Sequence, residues 1–539
     1  MRPVLSTEET LHLEDIIEHD GTSKAELMER AGDFVAQTVE HEHAERVAIL
    51  VGFGNNGGDG WVAADILQQK GVHVDVVSPV EPDEIPSQLA RHVARRTAER
   101  EVSVHVGPSR DELAAILKDA DCIVDAILGT GFHGEVRPPF SIWIPTVNEM
   151  EATVISVDVP SGLNSDTGET TSACVVADIT ATMLAPKIGL YSGEGPDMAG
   201  EILCGELYGQ IDQVIGEVDH AVEIVEPDDL LDYLDPLPSN VDKYSRGSVL
   251  VVAGSAAYPG AAMMAAEAAA RSGAGYVTAA VPDVCANLVR MALPSVPVVA
   301  IPSDSRGAFG AAAHSVISKL AGKYDCVLCG PGMTTAAGCI QVVTALLESD
   351  CALVLDADGL NCLARVGIDG IDKTPELYRR EGALVCTPHY RELSRLVAGD
   401  DVHDLGTSIA AAQKILWAGG SENMIIVAKG PTTAVVGVDS VLLPTSGPAA
   451  LATAGSGDVL AGILAGTVAS HHGEADNWPL LGSYAVALHS YTGYAAAAEQ
   501  GEKSVIATDL LPVIGTAMQM LEQAGTKDAQ RADDEAEVE

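Results

Sequence analysis

Two series of short apolar runs, each alternating with helix-length spacers, constrain the fold of this chain more than any other feature. The first series covers residues 46–51, 72–77, 122–128 and 153–159. The second begins at Gly247 and continues through residues 275–281, 296–301, 325–329, 352–355, 383–386 and 424–428. Strands that alternate with helices pair in parallel and need helices on both faces of their sheet. We therefore predict an α/β fold with two mostly parallel sheets covered by helices.

The length of 539 residues exceeds what one hydrophobic core normally holds, so the two series predict two domains. Residues 226–240, EPDDLLDYLDPLPSN, are acidic, contain proline and interrupt the strand rhythm, which is typical of a domain boundary. We predict a first domain at 1–225, a linker at 226–240 and a second domain at 241–525. The tail at 526–539 is acidic and poor in apolar residues, so we expect it to be disordered.

The charge of the chain excludes two classes of partner. There are 77 acidic and 31 basic residues, which give a net charge of −46. This balance argues against nucleic acid and against anionic membranes, and we expect small-molecule substrates instead. The acidity is spread through both halves, which favours a surface adapted to a high-salt cytoplasm. A generic acidic protein is the alternative.

The ten cysteines are scattered, and many lie inside apolar runs. Cys326 and Cys329 form a CxxC pair without a second pair at zinc spacing, so we interpret them as small buried hydrophobes. The chain opens without a signal-peptide pattern and contains no apolar run of spanning length with membrane flanks. We expect a soluble cytoplasmic protein that forms a homo-oligomer, whose size the sequence does not give.

Oxygen-rich loops follow three strands of the first half. The sequence GFGNNGGDG after residue 51 predicts a strand, a glycine-rich turn and a helix, which is a phosphate-binding unit. Its Asn55, Asn56 and Asp59 can also ligate a hard cation through oxygen. Two further loops begin at Asp125 and Asp158. Ordinary turn chemistry would explain one such loop, but the carboxyl ends of parallel strands share an edge, so three loops predict one site.

Polar segments also follow the strands of the second half. They are GPGM at 330–333, DADGLN at 356–361, TPHYREL at 387–393, KGPTT at 429–433 and LATAGSGDVLAGILAG at 451–466. A helix that starts at about Asp458 would point its free amides at the preceding turn and form an anion pocket. Asp458 itself is either an N-terminal cap or a base beside a bound phosphate. Together with KGPTT, the pattern favours a nucleotide phosphate site.

The first half resembles the NAD(P)H-hydrate epimerase family through LMERAG, GFGNNGGDG, DAILGTGFHGE, DVPSGL and ADITATMLAPKIGL, over residues 1–220. The resemblance implies a Rossmann-like domain that interconverts the two epimers of hydrated NADH or NADPH. It implies substrate contacts at Asn55, Asn56, Gly57, Gly58, Asp59, Gly129, Thr130, Gly131, Phe132, His133, Gly134, Glu135 and Asp158. It also implies a potassium site at Asn56, Asp125 and Ser161, and a catalytic role for Asp158.

The second half resembles the ADP-dependent NAD(P)H-hydrate dehydratase family, whose fold is ribokinase-like. The motifs are AGSAAYPGAA, CGPGM, DADGLN, KGPTT and AGSGDVLAG, over residues 240–520. The resemblance implies dinucleotide contacts at Ala261, Gly332, His389 and Asp458. It implies adenine-nucleotide contacts at Lys429, Gly430, Pro431, Thr432, Thr433 and Gly457, with ADP as co-substrate and Mg²⁺ as the phosphate partner.

Three positions of the second half depart from the dehydratase pattern. The family's GGTGD reads AGSGD here, and its HPGE reads HYRE at 389–392, which puts the local turn in question. The family's HKG reads KYSRG at 243–247, so we assign no role to that segment.

Both resemblances together predict a bifunctional repair enzyme. It would epimerise the R and S hydrates and then dehydrate the S hydrate with ADP, giving AMP and phosphate. Asp458 would take the hydroxyl proton, while the amides of residues 455–457 stabilise the transferring phosphoryl group. One alternative is a ribokinase-like small-molecule kinase fused to a nucleotide-binding module without epimerase turnover. A non-enzymatic binding or interaction role for the first half is a second.

Overall fold

The computed structural model describes residues 1–100, 102–218, 222–367 and 369–538, except for the side chains of 212, 377 and 528–538. Its strands are β1 Arg2–Val4, β2 Arg46–Val51, β3 His73–Ser78, β4 Ser103–Val106, β5 Cys122–Ala126, β6 Thr153–Val157, β7 Ile179–Met183, β8 Glu201–Gly205, β9 Val222–Val225, β10 Ser248–Val252, β11 Tyr276–Pro282, β12 Val298–Ile301, β13 Cys326–Cys329, β14 Ala352–Leu355, β15 Leu384–Cys386, β16 Met424–Ala428, β17 Ala434–Val436 and β18 Val441–Pro444.

The α-helices are α1 Thr7–His19, α2 Lys24–His41, α3 Asn55–Gln69, α4 Gln88–Ala98, α5 Arg110–Leu117, α6 Phe140–Val147, α7 Gly195–Ala199, α8 Ile211–Ile215, α9 Pro259–Arg271, α10 Asp283–Ala292, α11 Ala313–Ala321, α12 Ala337–Leu347, α13 Asp358–Val366, α14 Tyr390–Leu396, α15 Leu405–Gly419, α16 Ser456–Ser470, α17 Trp478–Gln500 and α18 Ala507–Val538. Short 3-10 helices lie at Pro82–Glu84, Ile188–Leu190, Pro227–Leu234, Ile371–Lys373, Pro375–Leu377, Ala449–Leu451 and Glu502–Ser504.

The chain divides into two compact units, as the sequence predicts. One unit is Pro3–His220, and the other combines Met1–Arg2 with Ala221–Glu539. The first unit contains a seven-stranded sheet of order β4-β3-β2-β5-β6-β7-β8, whose neighbouring strands are all parallel. The strand order reverses direction between β2 and β5. Ligand sites of open parallel sheets lie at such a switch point, beyond the carboxyl ends of the strands.

The second unit contains an eleven-stranded sheet of order β1-β9-β18-β17-β16-β15-β14-β13-β10-β11-β12. From β16 across to β12 all neighbouring strands are parallel. Strand β17 is antiparallel to both of its neighbours, β16 and β18. The α/β class and the mostly parallel sheets are therefore confirmed, and this sheet has its own switch point between β10 and β13.

The boundary between the units differs from the predicted linker at 226–240. Strand β9 pairs with β18, and the 3-10 helix Pro227–Leu234 follows it directly. The side chain of Leu230 is fully buried, and Pro227 packs against α18 at Gly525. The acidic stretch is thus amphipathic: Leu230 belongs to the core of the second unit, Leu234 packs against it, and Leu237 is exposed.

The structure carries α18 through Val538, across the segment for which the sequence predicts disorder. The side chains of residues 528–538 lie outside the described part of the chain. The prediction of a disordered tail therefore stays a prediction.

Helix α16 is the centre of the second unit, because it is buried along nearly its whole length from Val459 to Ala469. Two glycines allow α9 to approach it closely. A Cβ at Gly462 would lie 2.4 Å from the carbonyl oxygen of Ala265, and one at Gly466 would lie 2.2 Å from Ser272 Oγ. Close backbone approach of this kind excludes any larger residue at either glycine, and it fixes the N-terminus of α16 relative to the sheet.

The prediction that Cys326 and Cys329 are small buried hydrophobes is confirmed. Cys326 and Cys329 lie in β13 with no exposed surface, and they are free thiols. Burial raises the pKa of both thiols well above the usual value. No helix in the described ranges is both long enough and apolar enough to cross a membrane.

Candidate active sites

A cavity of about 580 Å³ opens at the carboxyl edge of the first sheet. It lies where β2, β5, β6 and β7 end, and helices α1 and α2 complete its wall. The residues that line it are Thr7, Thr10, Leu11, Glu14, Lys24, Leu27, Met28, Ala31, Phe53, Gly54, Asn55, Asn56, Asp59, Ile127, Leu128, Gly129, Thr130, Gly131, Phe132, His133, Asp158, Met183, Leu184, Lys187 and Leu207. The three predicted loops therefore meet at one site.

The NNGGD segment is the first turn of α3, whereas the sequence predicted a loop before the helix. Asn55, Asn56 and Asp59 line the cavity. Gly57 and Gly58 are instead buried contacts: a Cβ at Gly57 would lie 2.4 Å from Gly52 O, and one at Gly58 would lie 2.6 Å from Met28 Cε. These two glycines allow the helix to pack closely, and only the three polar side chains are directed to the cavity.

Asp158 is the ionised carboxylate of this cavity. Its backbone adopts the left-handed region at φ +69°, an uncommon conformation for a residue with a side chain. Lys187 Nζ lies 2.5 Å from Asp158 Oδ1, and the hydroxyl of Thr130 donates to Asp158 Oδ2. Burial alone would raise the pKa of Asp158, but Lys187 and the hydrogen bonds from Lys187 and Thr130 lower it below the usual value.

Lys187 is a site residue that the sequence reasoning did not single out, although it lies in the motif ADITATMLAPKIGL. Its side chain is 1% exposed. Besides the ion pair with Asp158, its ammonium donates to Thr182 Oγ1 at 3.1 Å and to Met183 O at 2.8 Å. A lone lysine in an otherwise apolar run is the signal that could have identified it, because burial requires a partner.

Two further carboxyl groups line the same cavity, and their pKa values are raised, whereas the pKa of Asp158 is lowered. Burial raises the pKa of Asp59 well above its usual value, and the charges of Asp158 and Glu14 add to this shift. Burial also raises the pKa of Glu14, against the opposing charge of Lys24. The sequence predicted Asp59 as a binding residue but missed Glu14 and Lys24, since α1 and α2 precede the recognisable loops.

Two of the predicted potassium ligands, Asp125 and Ser161, are buried and hydrogen-bonded to each other, whereas the third, Asn56, lines the cavity. Ser161 donates to both carboxylate oxygens of Asp125, from Oγ at 2.6 Å and from its backbone N at 2.8 Å. Ser161 Oγ also contacts the backbone N and O of Leu128. The Asn56 side chain abuts Gly129, and its buried Nδ2 has no hydrogen-bond partner among the described residues.

The last two residues of the predicted second substrate loop, Gly134 and Glu135, do not belong to the cavity lining. Glu135 instead accepts a hydrogen bond from Ser172 Oγ at 3.1 Å.

The candidate site of the second unit centres on the N-terminus of α16. The helix begins at Ser456, and its N-cap is Gly455 in the left-handed conformation at φ +96°. Asp458 is the third residue of the helix, so its interpretation as the cap is wrong. Burial raises the pKa of Asp458 to about 7, and the charge of Asp356 adds to this shift, against the opposing charge of Lys429. A carboxyl with that pKa can gain and lose a proton near neutral pH.

Lys429 supplies a fixed positive charge beside this turn. Its Nζ lies 2.7 Å from Asp356 Oδ1, and Thr387 Oγ1 donates to the same oxygen at 2.6 Å. A Cβ at Gly457 would lie 3.4 Å from Lys429 Nζ, so the ammonium reaches the first turn of α16. Burial lowers the pKa of Lys429, but Asp356 and Glu392 raise it more, and the group stays charged.

His389 caps the N-terminus of α14, which answers the question raised by the HYRE departure. Its Nδ1 accepts from the backbone N of Arg391 at 3.1 Å and of Glu392 at 3.3 Å. Burial lowers the pKa of His389, and the charge of Lys429 lowers it further. Tyr390 directs its hydroxyl at Gly430, where a Cβ would lie only 2.1 Å from it. The turn is thus a normal capped helix start, and Tyr390 borders the predicted nucleotide segment.

The remaining predicted residues lie at the same edge of the sheet. Gly332, at φ +63°, packs against the first turn of α9, because a Cβ there would lie 2.9 Å from Ala261 Cβ. Gly430, Pro431, Thr432 and Thr433 form the connection between β16 and β17. The structure therefore gathers all of the predicted second-half residues at the ends of β10, β13, β15 and β16 and at the start of α16.

Comparison with known proteins identifies the family. The family described as YjeF-related protein N-terminus matches residues 24–189, and the one described as NAD(P)H-hydrate dehydratase matches residues 249–515. The bifunctional NAD(P)H-hydrate repair enzyme Nnr of Salinibacter ruber is 35% identical over 92% of this chain and 92% of its own length. The chain belongs to the bifunctional NAD(P)H-hydrate repair enzymes.

Two further comparisons describe relatives of this repair enzyme. The repair enzyme of Coxiella burnetii is 32% identical over 93% of this chain and 96% of its own length. The crystal structure of an ADP/ATP-dependent NAD(P)H-hydrate dehydratase from Bacillus subtilis, co-crystallised with ATP and Mg²⁺, is 24% identical with a TM-score of 0.44. The match covers 54% of this chain and 96% of the Bacillus subtilis chain. The two family matches and the curated relatives confirm the resemblance of both halves of the sequence.

Proposed function

We propose that this chain repairs hydrated NADH and NADPH by two reactions at two sites. The first unit interconverts the R and S hydrates, and the second dehydrates the S hydrate with ADP, giving the reduced dinucleotide, AMP and phosphate. The observation that carries the proposal is the arrangement of Asp458 and Lys429 around the N-terminus of α16. This arrangement combines a carboxyl with a pKa of about 7, a partly buried ammonium and a set of free helix amides.

The dehydration needs a better leaving group than hydroxide. We propose that Asp458 takes the proton of the ring hydroxyl, whose oxygen then attacks the β-phosphoryl group of ADP and releases AMP. The backbone amides of residues 455–457 stabilise charge on the transferring group, and Lys429 offsets the charge of the nucleotide. In the phosphate ester formed in this step, the C–O bond to phosphate breaks, the neighbouring ring carbon gives up a proton to the departing phosphate, and the ring double bond forms between the two carbons.

A potassium ion fits three residues of the first unit. Asp125, Ser161 and Asn56 offer carboxylate, hydroxyl and amide oxygens, which are the donors that a large monovalent cation takes. Such an ion would fix the loops that begin at Asp125 and Asp158 and would stabilise negative charge of the substrate. The potassium site remains a proposal.

The proposal of a Mg²⁺ ion rests on the phosphates of the nucleotide, whereas the potassium proposal rests on protein side chains. Within the ranges that the structure describes, no group of three or more His, Cys, Asp and Glu side chains could hold a metal ion. Mg²⁺ commonly binds through substrate phosphates and one or two carboxylates. We therefore propose that Mg²⁺ enters the second site with ADP.

Three broader expectations also remain proposals: a cytoplasmic location, a homo-oligomeric state and a surface adapted to high salt. The net charge of −46 supports the last of these.

The test is an assay of purified S hydrate with ADP and Mg²⁺, followed by the recovery of reduced-nicotinamide absorbance together with free phosphate. We expect absorbance and phosphate to appear in equal amounts. Phosphate retained on an organic product would instead support a small-molecule kinase. The R hydrate should be repaired as well, and repair of the S hydrate alone would restrict the first unit to a binding role.

A further inference from the structure

The titratable side chains of the first cavity differ in how many ion pairs and hydrogen bonds they make. The titratable side chains that line it are Glu14, Lys24, Asp59, His133, Asp158 and Lys187. Lys187 is committed to Asp158 at 2.5 Å. Lys24 pairs with Asp15 at 3.2 Å and Glu18 at 3.8 Å, which are outside the lining. Asp59 has no hydrogen bond and no ion pair from its carboxyl to any residue in the described part of the chain.

This difference sets the protonation state of the two aspartates. Asp158 has an adjacent ammonium and a hydroxyl donor, so it is stable as the anion. Asp59 is partly buried without such donors, and it shares its surroundings with the negative charges of Asp158 and Glu14. A buried carboxyl without a partner retains its proton. One cavity thus holds a carboxylate and a carboxylic acid, a pairing that assigns the base and the acid.

The hydrated ring has the chemistry that such a pair can use. Reduced nicotinamide contains an enamine, and addition of water places the hydroxyl on the carbon bonded to the ring nitrogen. That carbon is a hemiaminal centre, and its configuration is lost when its bond to nitrogen breaks. Breaking this bond needs removal of a proton from the hydroxyl and delivery of a proton to the nitrogen. Two carboxyl groups in opposite states supply both steps together.

We propose that Asp158 is the base and Asp59 the acid of the epimerisation, with Lys187 as the positioning residue that holds Asp158 as the anion. This inference rests on the proposed epimerase function. Asp158 takes the hydroxyl proton, the C=O bond forms, and the C–N electron pair moves to the nitrogen, which takes the proton of Asp59. Rotation of the open aldehyde exposes its other face. The reverse steps return both protons and close the ring with inverted configuration.

The first test uses Asp59→Asn in the full chain. Asn preserves the shape of a protonated carboxyl but cannot deliver a proton, so we expect interconversion of R and S hydrates to fall roughly 100-fold or more. Dehydration of the S hydrate, which occurs in the other unit, should be unchanged and reports that the variant is folded. Asp83→Asn is the matched control, because Asp83 is an exposed partner of Arg95 outside the cavity.

The outcomes separate the two proposals. Wild-type protein that does not interconvert the hydrates contradicts the epimerase function itself. Wild-type protein that interconverts them while Asp59→Asn stays within about threefold contradicts only the acid–base pair, because loss of a general acid costs far more. Epimerisation in ¹⁸O-labelled water gives a second readout. We expect the hydroxyl oxygen to be retained, and its exchange at each inversion would overturn the C–N cleavage.

The test of Lys187 is a pH profile. Lys187→Met should move the acidic limb of kcat/KM for epimerisation to higher pH, because Asp158 loses the cation that lowers its pKa. In Lys187→Arg, the acidic limb of kcat/KM should lie between its positions in wild type and in Lys187→Met. Unchanged profiles in both variants, with normal dehydration activity, would contradict the positioning role.

Discussion

At the scale of the residue, Asp458 is the side chain on which the second reaction depends. We expect Asp458→Asn to reduce dehydration by roughly 100- to 10 000-fold, the range typical for loss of a general base. Epimerisation should be unchanged, because the first cavity is lined only by residues of the other unit. The measurement is the rate of each reaction with purified R and S hydrates. Dehydration within a few-fold of wild type would remove Asp458 from the mechanism.

The pKa of Asp458 predicts a pH dependence with a defined sign. Because the pKa is raised to about 7, the base is protonated below that pH, and kcat/KM for dehydration should fall as pH decreases through 7. The folded protein also retains this proton between about pH 4, where an unfolded aspartate titrates, and pH 7. Its contribution therefore lowers the free energy of unfolding as pH rises across that window.

The stability effect of Asp458 has its own measurement. Asp458→Asn should melt at a higher temperature than wild type at pH 8, and the difference should shrink towards pH 4. Parallel melting curves for the two proteins at every pH would show that the carboxyl is not perturbed.

Asp158 and Asp458 also show how much of each site could be inferred from single residues of the sequence. Asp158 opens a loop and Asp458 follows a glycine-rich turn, both with recognisable patterns, and the structure places Asp158 at the end of a strand and Asp458 in the first turn of a helix. Lys187 was missed because its role depends on the tertiary contact with Asp158, and the spacing between the two in the sequence carries no sign of that contact. The cap interpretation of Asp458 failed because the glycine before the helix took that position.

At the scale of the elements, the loops after β2, β5 and β6 predict a dependence on potassium. We expect epimerisation to be slower in lithium or choline chloride than in potassium chloride at equal ionic strength. The physical reason is that Asn56, Asp125 and Ser161 offer oxygens to a large cation where those loops meet. Dehydration by the same sample, with substrate added as the S hydrate, is the internal control.

Equal epimerisation rates in the three salts would mean that these side chains only stabilise the turns. Ser161→Ala separates the two cases further, since it should weaken the response to potassium if the hydroxyl is a ligand.

The strands whose bounds the sequence predicted best share one property, which is a continuous apolar run that is almost wholly buried. Strands β2, β14 and β16 begin and end where the apolar runs at 46–51, 352–355 and 424–428 do. The strands that were missed include β4 at the edge of the first sheet and the antiparallel β17. Such strands are short: β4 has four residues with no fully buried side chain, and β17 has only three residues, so neither forms a run long enough to stand out. Local hydrophobicity therefore could not reveal them.

At the scale of the whole molecule, the net charge of −46 predicts that folding depends on salt. The Debye length falls from about 10 Å at 0.1 M to about 3 Å at 1 M, so most surface repulsion should disappear over that interval. We expect the melting temperature to rise steeply between low and molar potassium chloride. A flat curve would contradict the salt-adapted surface.

A chain that ends at Gly525 separates the surface from the tail. Gly525 still packs against Pro227, so the truncation keeps that contact of α18. The acidic residues are spread over both units, and the shortened chain should therefore show nearly the same salt response. A response lost with the tail would assign the effect to residues 526–539.

The pairing of β1 with β9 has a consequence for cutting the protein into parts. The first unit is an insertion between Met1–Arg2 and Ala221–Glu539, and β1 is the outermost strand of the eleven-stranded sheet. A fragment that starts at residue 221 would lack this strand and leave β9 as an open edge, which is a template for self-association. During synthesis the strand that covers this edge emerges long before the other strands of the sheet it joins. A dissected dehydratase unit therefore needs a short peptide with the sequence of β1, supplied as a fusion beside β9, to remain monodisperse.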